Sequence, residues 1–314
     1  MAKLMYASDL NVVVIAYNRP VLLRALLNQL GEIDLNALLD ISISLDGQCN
    51  PECLELAREF CNKRNRGEVI THAKRLGLRR HVMECGDYAA AKGDFVMFED
   101  DLNLSPGVIK YFENTSQIFR TVDNVRQISS FSIHWNEYER TPFMPVCNGL
   151  PYFYAALGSS WGQYWTVDWW QEFSEWMSEN SKMDFDSIDL HEYVKSWGDK
   201  SWKKYFNAFL LLNNYKVVYP VDQYSSHNAI GGTHSNVPTG SFKPLAYESE
   251  INIGLSDSSC IVTYDHNLRL LVPERYSNEF CIGNALRAKD LLASFKGRDL
   301  ALELFRRTGL RLWK

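Results

Sequence analysis

The most constraining feature of the sequence is residues 95–102, where an apolar run ends in three adjacent carboxylates. Phenylalanine, valine and methionine follow one another without polar alternation, which is typical of a strand buried on both faces of a sheet. The carboxylates of Glu99, Asp100 and Asp101 repel one another, so we expect a cation beside them. Divalent metal ions prefer carboxylate oxygens and leave room for a ligand's phosphates. The stretch therefore predicts a metal site at a strand end, with a solvated acidic turn as the alternative.

Strands and helices are predicted to alternate around this stretch. The expected strands are residues 11–17, 40–45, 69–73 and 95–98, and the expected helices are 21–30, 51–65 and 78–91. This alternation predicts an α/β fold with a mostly parallel sheet flanked by helices, and such sheets bind ligands at the carboxyl ends of their strands. No G-x-G-x-x-G motif follows the first strand and the chain contains no P-loop motif, which argues against dinucleotide and P-loop sites.

The second half of the chain is predicted to be less regular. A helix is expected from Pro106, with Ser105 as its N-cap. Aromatic residues cluster between Trp135 and Trp202, which suits either a carbohydrate-stacking surface or a large aromatic core. The other expected elements are helices at 161–177 and 201–212, strands at 128–133 and 215–219, and turn-rich or loop segments at 148–160 and 225–240.

Composition narrows the class of protein. The 314 residues are 46% hydrophobic and 23% charged, as in globular proteins, and the net charge of −5 argues against nucleic-acid binding. The seven cysteines lack the spacing of a zinc site and are expected to be reduced thiols of a cytoplasmic protein. The chain shows no signal-peptide pattern and no apolar run of membrane-spanning length.

The C-terminal residues 282–314 are expected to form one or two helices that are both apolar and basic. Leucine and phenylalanine are interspersed there with arginine and lysine. Such a segment can dock on the protein's own core, or it can contact an anionic membrane surface peripherally. The second alternative would place the protein at the inner face of a membrane.

Short segments along the chain carry a family resemblance. They are residues 14–20, 43–47, 98–102, 197–199, 214–220 and 231–235. In order and spacing they resemble GT-A nucleotide-sugar glycosyltransferases, namely bacterial inverting family 2-like polysaccharide glycosyltransferases and N-acetylglucosaminyltransferases with a Glu-Asp-Asp form of the D-x-D motif. The resemblance covers about residues 11–235.

The resemblance implies a metal-dependent transfer of a hexosyl or N-acetylhexosaminyl group. The donor would be a nucleotide-diphosphate sugar, UDP-linked, and the acceptor a hydroxyl of a glycan or lipid-linked saccharide in surface polysaccharide biosynthesis. Mn²⁺ or Mg²⁺ would be the cofactor, and the transfer would invert the anomeric centre. Residues 1–240 would form the catalytic domain, with a nucleotide-sugar half at about 1–105 and an acceptor half at about 106–240. Residues 241–314 would form a partly helical, basic extension.

The resemblance also assigns roles to residues. Asp101 would bind the metal directly, Asp100 would face the ribose or a metal-bound water, and Glu99 would face the sugar. Asp46 would accept a hydrogen bond from the base, although an Asp-Gly turn is the alternative. Further nucleotide-sugar contacts are expected from Tyr17, Arg19, Arg80, His81 and Gly158. His227 and His234, in a glycine-rich loop, would complete the metal shell or pair with phosphate; two exposed loop histidines are the alternative.

An inverting transfer needs a base that removes the proton of the acceptor hydroxyl. Asp199 is the candidate by its place in the 197–199 motif, and Asp168 and Asp189 are the runners-up. Lys200 follows where the family often has a second acid. Asp199 could instead be an N-cap. Two other functions stay open on this fold: a sugar nucleotidyltransferase and a non-catalytic carbohydrate-binding protein.

Overall fold

The structure of the protein is a computed structural model that describes residues 10–34, 38–146, 149–228 and 261–271. Its strands are β1 Asn11–Ala16, β2 Asp40–Leu45, β3 Glu68–Thr71, β4 Phe95–Glu99, β5 Leu102–Leu104, β6 Val125–Ser129, β7 Trp135–Asn136, β8 Thr141–Pro142, β9 Tyr152–Ala155, β10 Gln163–Trp165, β11 Lys216–Pro220, β12 Ser225–His227, β13 Thr263–Tyr264 and β14 Leu270–Leu271. Its helices are α1 Pro20–Ile33, α2 Pro51–Arg64, α3 Leu78–Ala90, α4 Val108–Phe119, α5 Val167–Glu179, α6 Glu192–Lys195 and α7 Trp202–Leu212, with a 3-10 turn at Phe185–Ser187.

Within the described residues, ten strands form one sheet in the order β14-β13-β9-β11-β6-β10-β4-β1-β2-β3. The strands β3, β2, β1 and β4 are all parallel, and β10 runs antiparallel between β4 and β6. The predicted α/β sheet flanked by helices is therefore confirmed, and its parallel part is the half that carries the acid triplet. Antiparallel pairs occur in the other half.

The strand before the triplet is buried along its apolar length, as its composition predicts. Phe95, Val96, Met97 and Phe98 are fully shielded from solvent. The strand β4 lies between β1 and β10, so it has hydrogen-bonded neighbours on both edges. A strand in this position needs apolar side chains on both faces, since helices or loops cover each face of the sheet.

The helix predicted from Pro106 begins later, and the prediction of Ser105 as its N-cap is wrong. The helix α4 starts at Val108, with Gly107 at the cap position and no side-chain cap. Residues 102–104 form β5, which pairs antiparallel with β12. The backbone N–H of Ser105 donates to the carbonyl of Tyr224 at 2.8 Å. This long-range pairing keeps the chain extended to that point and delays the helix.

Three segments predicted as turns, loop or helix contain strands instead. The strand β9 lies in the segment expected to be turn-rich, β12 begins the expected loop, and β10 replaces the first turn of the expected Trp-rich helix. That helix begins at Val167, where Thr166 Oγ1 accepts the N–H of Trp169 at 3.1 Å. Strand pairing across the sheet overrides local helical spacing here.

The clustered aromatic residues serve mainly as core. Trp165, Trp170 and Trp202 are almost fully buried, together with Phe173 and Phe206 between the sheet and its helices. No helix in the described part of the chain is both long and apolar enough to cross a lipid bilayer. The predicted C-terminal helices at 282–314 lie outside the described residues.

Candidate active site

The candidate site lies where parallel strands end side by side. The strand β1 lies between β2 and β4, so Tyr17, Asp46 and Asp100 follow three adjacent strand ends. The backbone continues this alignment beyond the strands. Asp46 N donates to the carbonyl of Ala16, and Asp100 N to that of Ile15, both at 3.0 Å. Tyr17, Asp46 and Asp100, predicted from distant parts of the sequence, thus lie at one edge of the sheet.

The guanidinium of Arg19 bridges the two aspartates of the triplet. Its Nη1 lies 2.5 Å from Asp101 Oδ2, and its Nη2 forms an ion pair with Asp100 Oδ1. Asp100 and Asp101 are buried, whereas Arg19 remains partly exposed just before α1. The backbone N–H of Tyr17 also points to Asp100 Oδ2, at 3.5 Å. The single positive charge of Arg19 therefore compensates two buried carboxylates.

Burial and neighbouring charge set the protonation of the triplet. Burial raises the pKa of Asp100 to about 6, although the charge of Arg19 opposes this rise. Burial and the charge of Asp101 also raise the pKa of Glu99. Burial acts on Asp101 in the same direction, but the hydrogen bond with His227 and the charge of Arg19 together lower the pKa of Asp101 below its ordinary value. Asp101 is thus the carboxylate of the three that is held ionised most firmly.

Asp101 and His227 have atoms suited to a cation. The pairing of β12 with β5 places His227 opposite Leu102 and brings its Nε2 to 3.1 Å from Asp101 Oδ2. Asp101 Oδ1 is buried without a hydrogen-bond partner among the described residues, and so is His227 Nδ1. Buried polar atoms ordinarily have partners, so an unpartnered carboxylate oxygen suits a metal ion.

The protein does not supply a complete metal cage in the described ranges. No three histidine, cysteine or acidic side chains converge there as a ready metal-binding set. A divalent ion held by Asp101 would therefore take its other ligands from a bound phosphate group and water, as Mg²⁺ commonly does. The residues present fit that arrangement. His234, predicted as a further ligand, lies outside the described residues.

Asp46 holds a neighbouring loop. Its carboxylate accepts backbone N–H groups from Gly47 and Leu76 at 2.7 Å and from Gly77 at 3.0 Å. A side chain at Gly47 would collide with the backbone of Lys74, at 2.1 Å from the added carbon. Asp46 therefore fixes the 74–77 loop at the edge of the site, and its predicted contact with a nucleotide base stays a prediction.

The two α3 residues predicted to contact the donor have other partners. His81 is buried and its Nε2 lies 2.8 Å from Ser44 Oγ; burial lowers the pKa of its imidazole to about 4. Arg80 is exposed and pairs with Glu84 at 2.7 Å along the same helix. The exposed Arg75, which sequence reasoning missed, lies 4.7 Å above the ring of Tyr17.

An open cleft adjoins Asp101 through His227. Gly158 lines it, and its N–H donates to Asn207 Oδ1 at 2.7 Å; its contact with the nucleotide sugar stays a prediction. A side chain at Gly158 would lie 2.4 Å from the ring of Phe206, so the close packing requires glycine. The cleft is lined by Phe131, Ile133, His134, Trp135, Glu137, Tyr138, Leu157, Gly158, Ser159, Ser160, Trp161, Trp197, Lys203, Tyr219, Gln223, Ser226, His227 and Leu268.

The three candidate bases do not line the cleft. Asp199 is exposed on the loop between α6 and α7, and it lies in sequence between the cleft residues Trp197 and Lys203. Asp168 and Asp189 are exposed elsewhere on the surface. Sequence reasoning missed Glu137 and Lys203, because only the folded structure shows that these residues line the cleft. The clustered tryptophans were the available signal for this surface.

Residues 11–159, just under half of the chain, match the model of glycosyl transferase family 2. The matched range contains β1 to β4 and the acid triplet. No functionally curated protein is detectably similar to the chain in sequence.

Some solved structures are similar to this chain at low sequence identity. A mannosyltransferase from Pyrobaculum calidifontis in complex with GDP-Man and Mn²⁺ is 10% identical over 73% of this chain and 59% of its own, with a TM-score of 0.46. TarS residues 1–349 of S. aureus in complex with UDP is 14% identical over 69% of this chain and 59% of its own, with a TM-score of 0.45. The galactosyltransferase LgtC, with donor and acceptor sugar analogues, is 12% identical over 67% and 73%, with a TM-score of 0.39. The chain thus spans about three fifths of the first two structures, and over residues 11–159 it is similar to glycosyl transferase family 2.

Proposed function

We propose that the protein is a metal-dependent glycosyltransferase that uses a UDP-linked sugar and transfers it, with inversion, to a hydroxyl of a glycan or lipid-linked saccharide. The match of residues 11–159 to glycosyl transferase family 2 supports the reaction class. The transferred group would be a hexosyl or N-acetylhexosaminyl residue, and the pathway a surface polysaccharide. Residues 1–105 would bind the donor and residues 106–240 the acceptor.

The observation that carries this proposal is the buried, unpartnered Oδ1 of Asp101. It lies at the carboxyl end of the parallel part of the sheet, and its neighbour His227 lines an open cleft. A divalent ion there would supply positive charge to the leaving diphosphate. Asp101 and His227 would hold that ion, which fits Mn²⁺ or Mg²⁺.

The chain's own side chains would position the donor. Arg19 sits beside the two aspartates and can offer two parallel N–H donors to phosphate oxygens. Tyr17 and Asp46 flank it at the strand ends, where the nucleoside would lie. Glu99 would face the sugar, since its raised pKa lets it donate as well as accept hydrogen bonds.

We assign removal of the acceptor proton to Asp199. Asp199 lies in the loop between two cleft-lining residues, Trp197 and Lys203, and the sequence motif of the family also indicates it. A carboxylate in this position could accept the proton as the hydroxyl attacks.

Thermal unfolding with nucleotides tests the proposal. We would measure the melting temperature with UDP, GDP, CDP and dTDP, each with and without Mn²⁺. A ligand at a hundredfold its dissociation constant adds about 2.7 kcal/mol of stability, which shifts the melting temperature by several degrees. We expect a shift with UDP that requires Mn²⁺. A metal-dependent shift with another nucleoside diphosphate would keep the reaction class and overturn the assignment of UDP.

Thermal unfolding with nucleoside triphosphates and with saccharides, together with an assay for pyrophosphate, separates the other two functions. Stabilisation by nucleoside triphosphates together with pyrophosphate release would indicate a sugar nucleotidyltransferase. Binding of saccharides without any nucleotide response would indicate a non-catalytic carbohydrate-binding protein.

Membrane contact through residues 282–314 stays a prediction, since that segment lies outside the described residues. A cytoplasmic location also stays a prediction.

A further inference from the structure

Two adjacent lysines at the start of α7 have different environments. Lys204 is buried, and its ammonium donates to the carbonyls of Lys195 at 2.7 Å and Trp197 at 3.0 Å. Lys203 is half-buried, lines the cleft and lies 4.8 Å above the ring of Trp197. Within the described residues Lys203 has no ion-pair partner inside 4 Å. Lys204 therefore stabilises the loop, whereas the charge of Lys203 is directed to the cleft.

The lining of the cleft around Lys203 suits a saccharide. Every lining residue comes from position 131 onward, outside the parallel strands that carry the acid triplet. Trp135, Trp161 and Trp197 are among them, and aromatic faces suit the apolar face of a sugar ring. A charged amine among such rings lies in a partly dehydrated environment, where an ion pair is stronger than at an exposed surface.

Arg19 and Lys203 are two cations with different surroundings. Arg19 already lies against Asp100 and Asp101, where a diphosphate would bind. The charge of Lys203 also acts on Glu99, the residue assigned to face the sugar. With Glu99 facing the transferred sugar, as proposed above, the ammonium of Lys203 would lie on the acceptor side of that sugar, in the cleft.

We propose that Lys203 recognises an oxyanion on the acceptor saccharide, either the carboxylate of a uronic acid or a phosphate ester. This inference rests on the proposed glycosyltransferase function and names the substrate class of the same cleft. The ammonium would donate charge-assisted hydrogen bonds to the anion while a tryptophan face packs against the sugar ring. Neutral sugars would lack that anchor and bind more weakly.

The test measures binding of small probes to the full chain saturated with UDP and Mn²⁺. The probes are methyl glucoside, methyl glucuronide and glucose 6-phosphate, and ligand-observed NMR gives the dissociation constants. We expect at least one anionic probe to bind about tenfold more tightly than the neutral probe. The anionic probe with the lower dissociation constant then shows whether the protein prefers a carboxylate or a phosphate ester.

Variants connect that preference to one side chain. Lys203→Gln should abolish the tenfold preference, and Lys203→Arg should retain it because the charge is kept. Lys200→Gln is the matched control, since Lys200 is exposed, carries the same charge and does not line the cleft. It should bind all probes as the wild type does.

Other outcomes overturn the inference without affecting the proposed function. They are equal binding of the three probes to the wild type, no saturable binding of either anion, and an unchanged preference in Lys203→Gln. Weaker UDP binding in Lys203→Gln with unchanged probe binding would assign the lysine to the diphosphate instead. Failure of the wild type to bind any nucleoside diphosphate with Mn²⁺ would overturn the proposed function itself.

Discussion

Asp101 combines burial with an unpartnered oxygen, so its replacement has a defined consequence. Asp101→Asn keeps the size of the side chain but removes the charge that a divalent ion needs. We expect the Mn²⁺-dependent stabilisation by UDP, about 2.7 kcal/mol at a hundredfold the dissociation constant, to disappear. The melting temperature with both ligands measures this. Asp123→Asn, an exposed change of the same kind, should retain the shift. A full shift in Asp101→Asn would contradict the metal assignment.

Arg19 leads to two opposite expectations, because its guanidinium occupies the carboxylates that a metal would use. In Arg19→Gln, Mn²⁺ should bind more tightly without nucleotide, since its competitor is gone. UDP should bind more weakly once Mn²⁺ is present, since a bidentate phosphate donor is gone. We expect changes of about tenfold in each direction. Titration calorimetry with Mn²⁺ alone, and then with UDP, measures both. Changes of the same sign in both titrations would argue against the competition.

Asp199 and Glu137 can be compared directly as bases. Glu137 is the carboxylate among the described cleft-lining residues, and Asp199 is the residue that the sequence motif indicates. Asp199→Asn should lower kcat by about a hundredfold or more, while UDP binding stays unchanged, because a base acts only in the transition state. Glu137→Gln should have a smaller effect. The reverse order of effects in steady-state kinetics would transfer the assignment to Glu137.

Helix α3 packs closely against α5 at Gly86, whereas Gly31 in α1 has room for a side chain. An alanine methyl at Gly86 would lie 1.9 Å from the ring of Trp170, whereas at Gly31 the nearest atom is 3.7 Å away. Gly86→Ala should lower the free energy of unfolding by about 1–3 kcal/mol through overpacking. Gly31→Ala should raise it by about 0.5–1 kcal/mol through helix propensity. Urea unfolding measures both, and stabilisation by both variants would show that α5 can move away.

The parallel strands β1, β2 and β4 could be predicted from their apolar runs, whereas β5, β9, β10 and β12 could not. The strands β1 and β4 are continuous apolar segments, and β2 alternates isoleucine with serine; turn residues follow each of them, so local sequence is enough. The strand β9 reads as a turn-rich segment because a glycine and a proline precede it. The others are short, and they are strands because a partner strand lies beside them.

At the scale of the whole molecule, the buried His81 should make stability depend on pH. Burial holds its pKa at about 4, below the ordinary value of 6.5. As pH falls below 6.5, the unfolded chain takes up a proton that the folded state refuses, so the free energy of unfolding decreases until about pH 4. Between pH 7 and pH 5 this amounts to about 2 kcal/mol.

The variant His81→Gln isolates this contribution. It removes the titrating group and leaves a side chain that can still bond to Ser44. We expect its free energy of unfolding, from urea titrations at pH 7 and pH 5, to change less with pH than that of the wild type. Equal pH dependence in the two proteins would show that His81 is accessible to protons in the folded state.

The α/β class, the buried strand with its acid triplet and the similarity to glycosyl transferase family 2 could all be read from the sequence. They depend on short segments and on the order of those segments, and within each segment hydrophobic periodicity and turn chemistry act locally. The contact of His227 with Asp101, the bridging of two carboxylates by Arg19 and the place of Lys203 in the cleft became visible only in the folded structure. Those contacts join residues 81 or more positions apart along the chain, or a cleft wall assembled from several segments. They arise from strand pairing and packing of the whole sheet, which no local pattern of residues encodes.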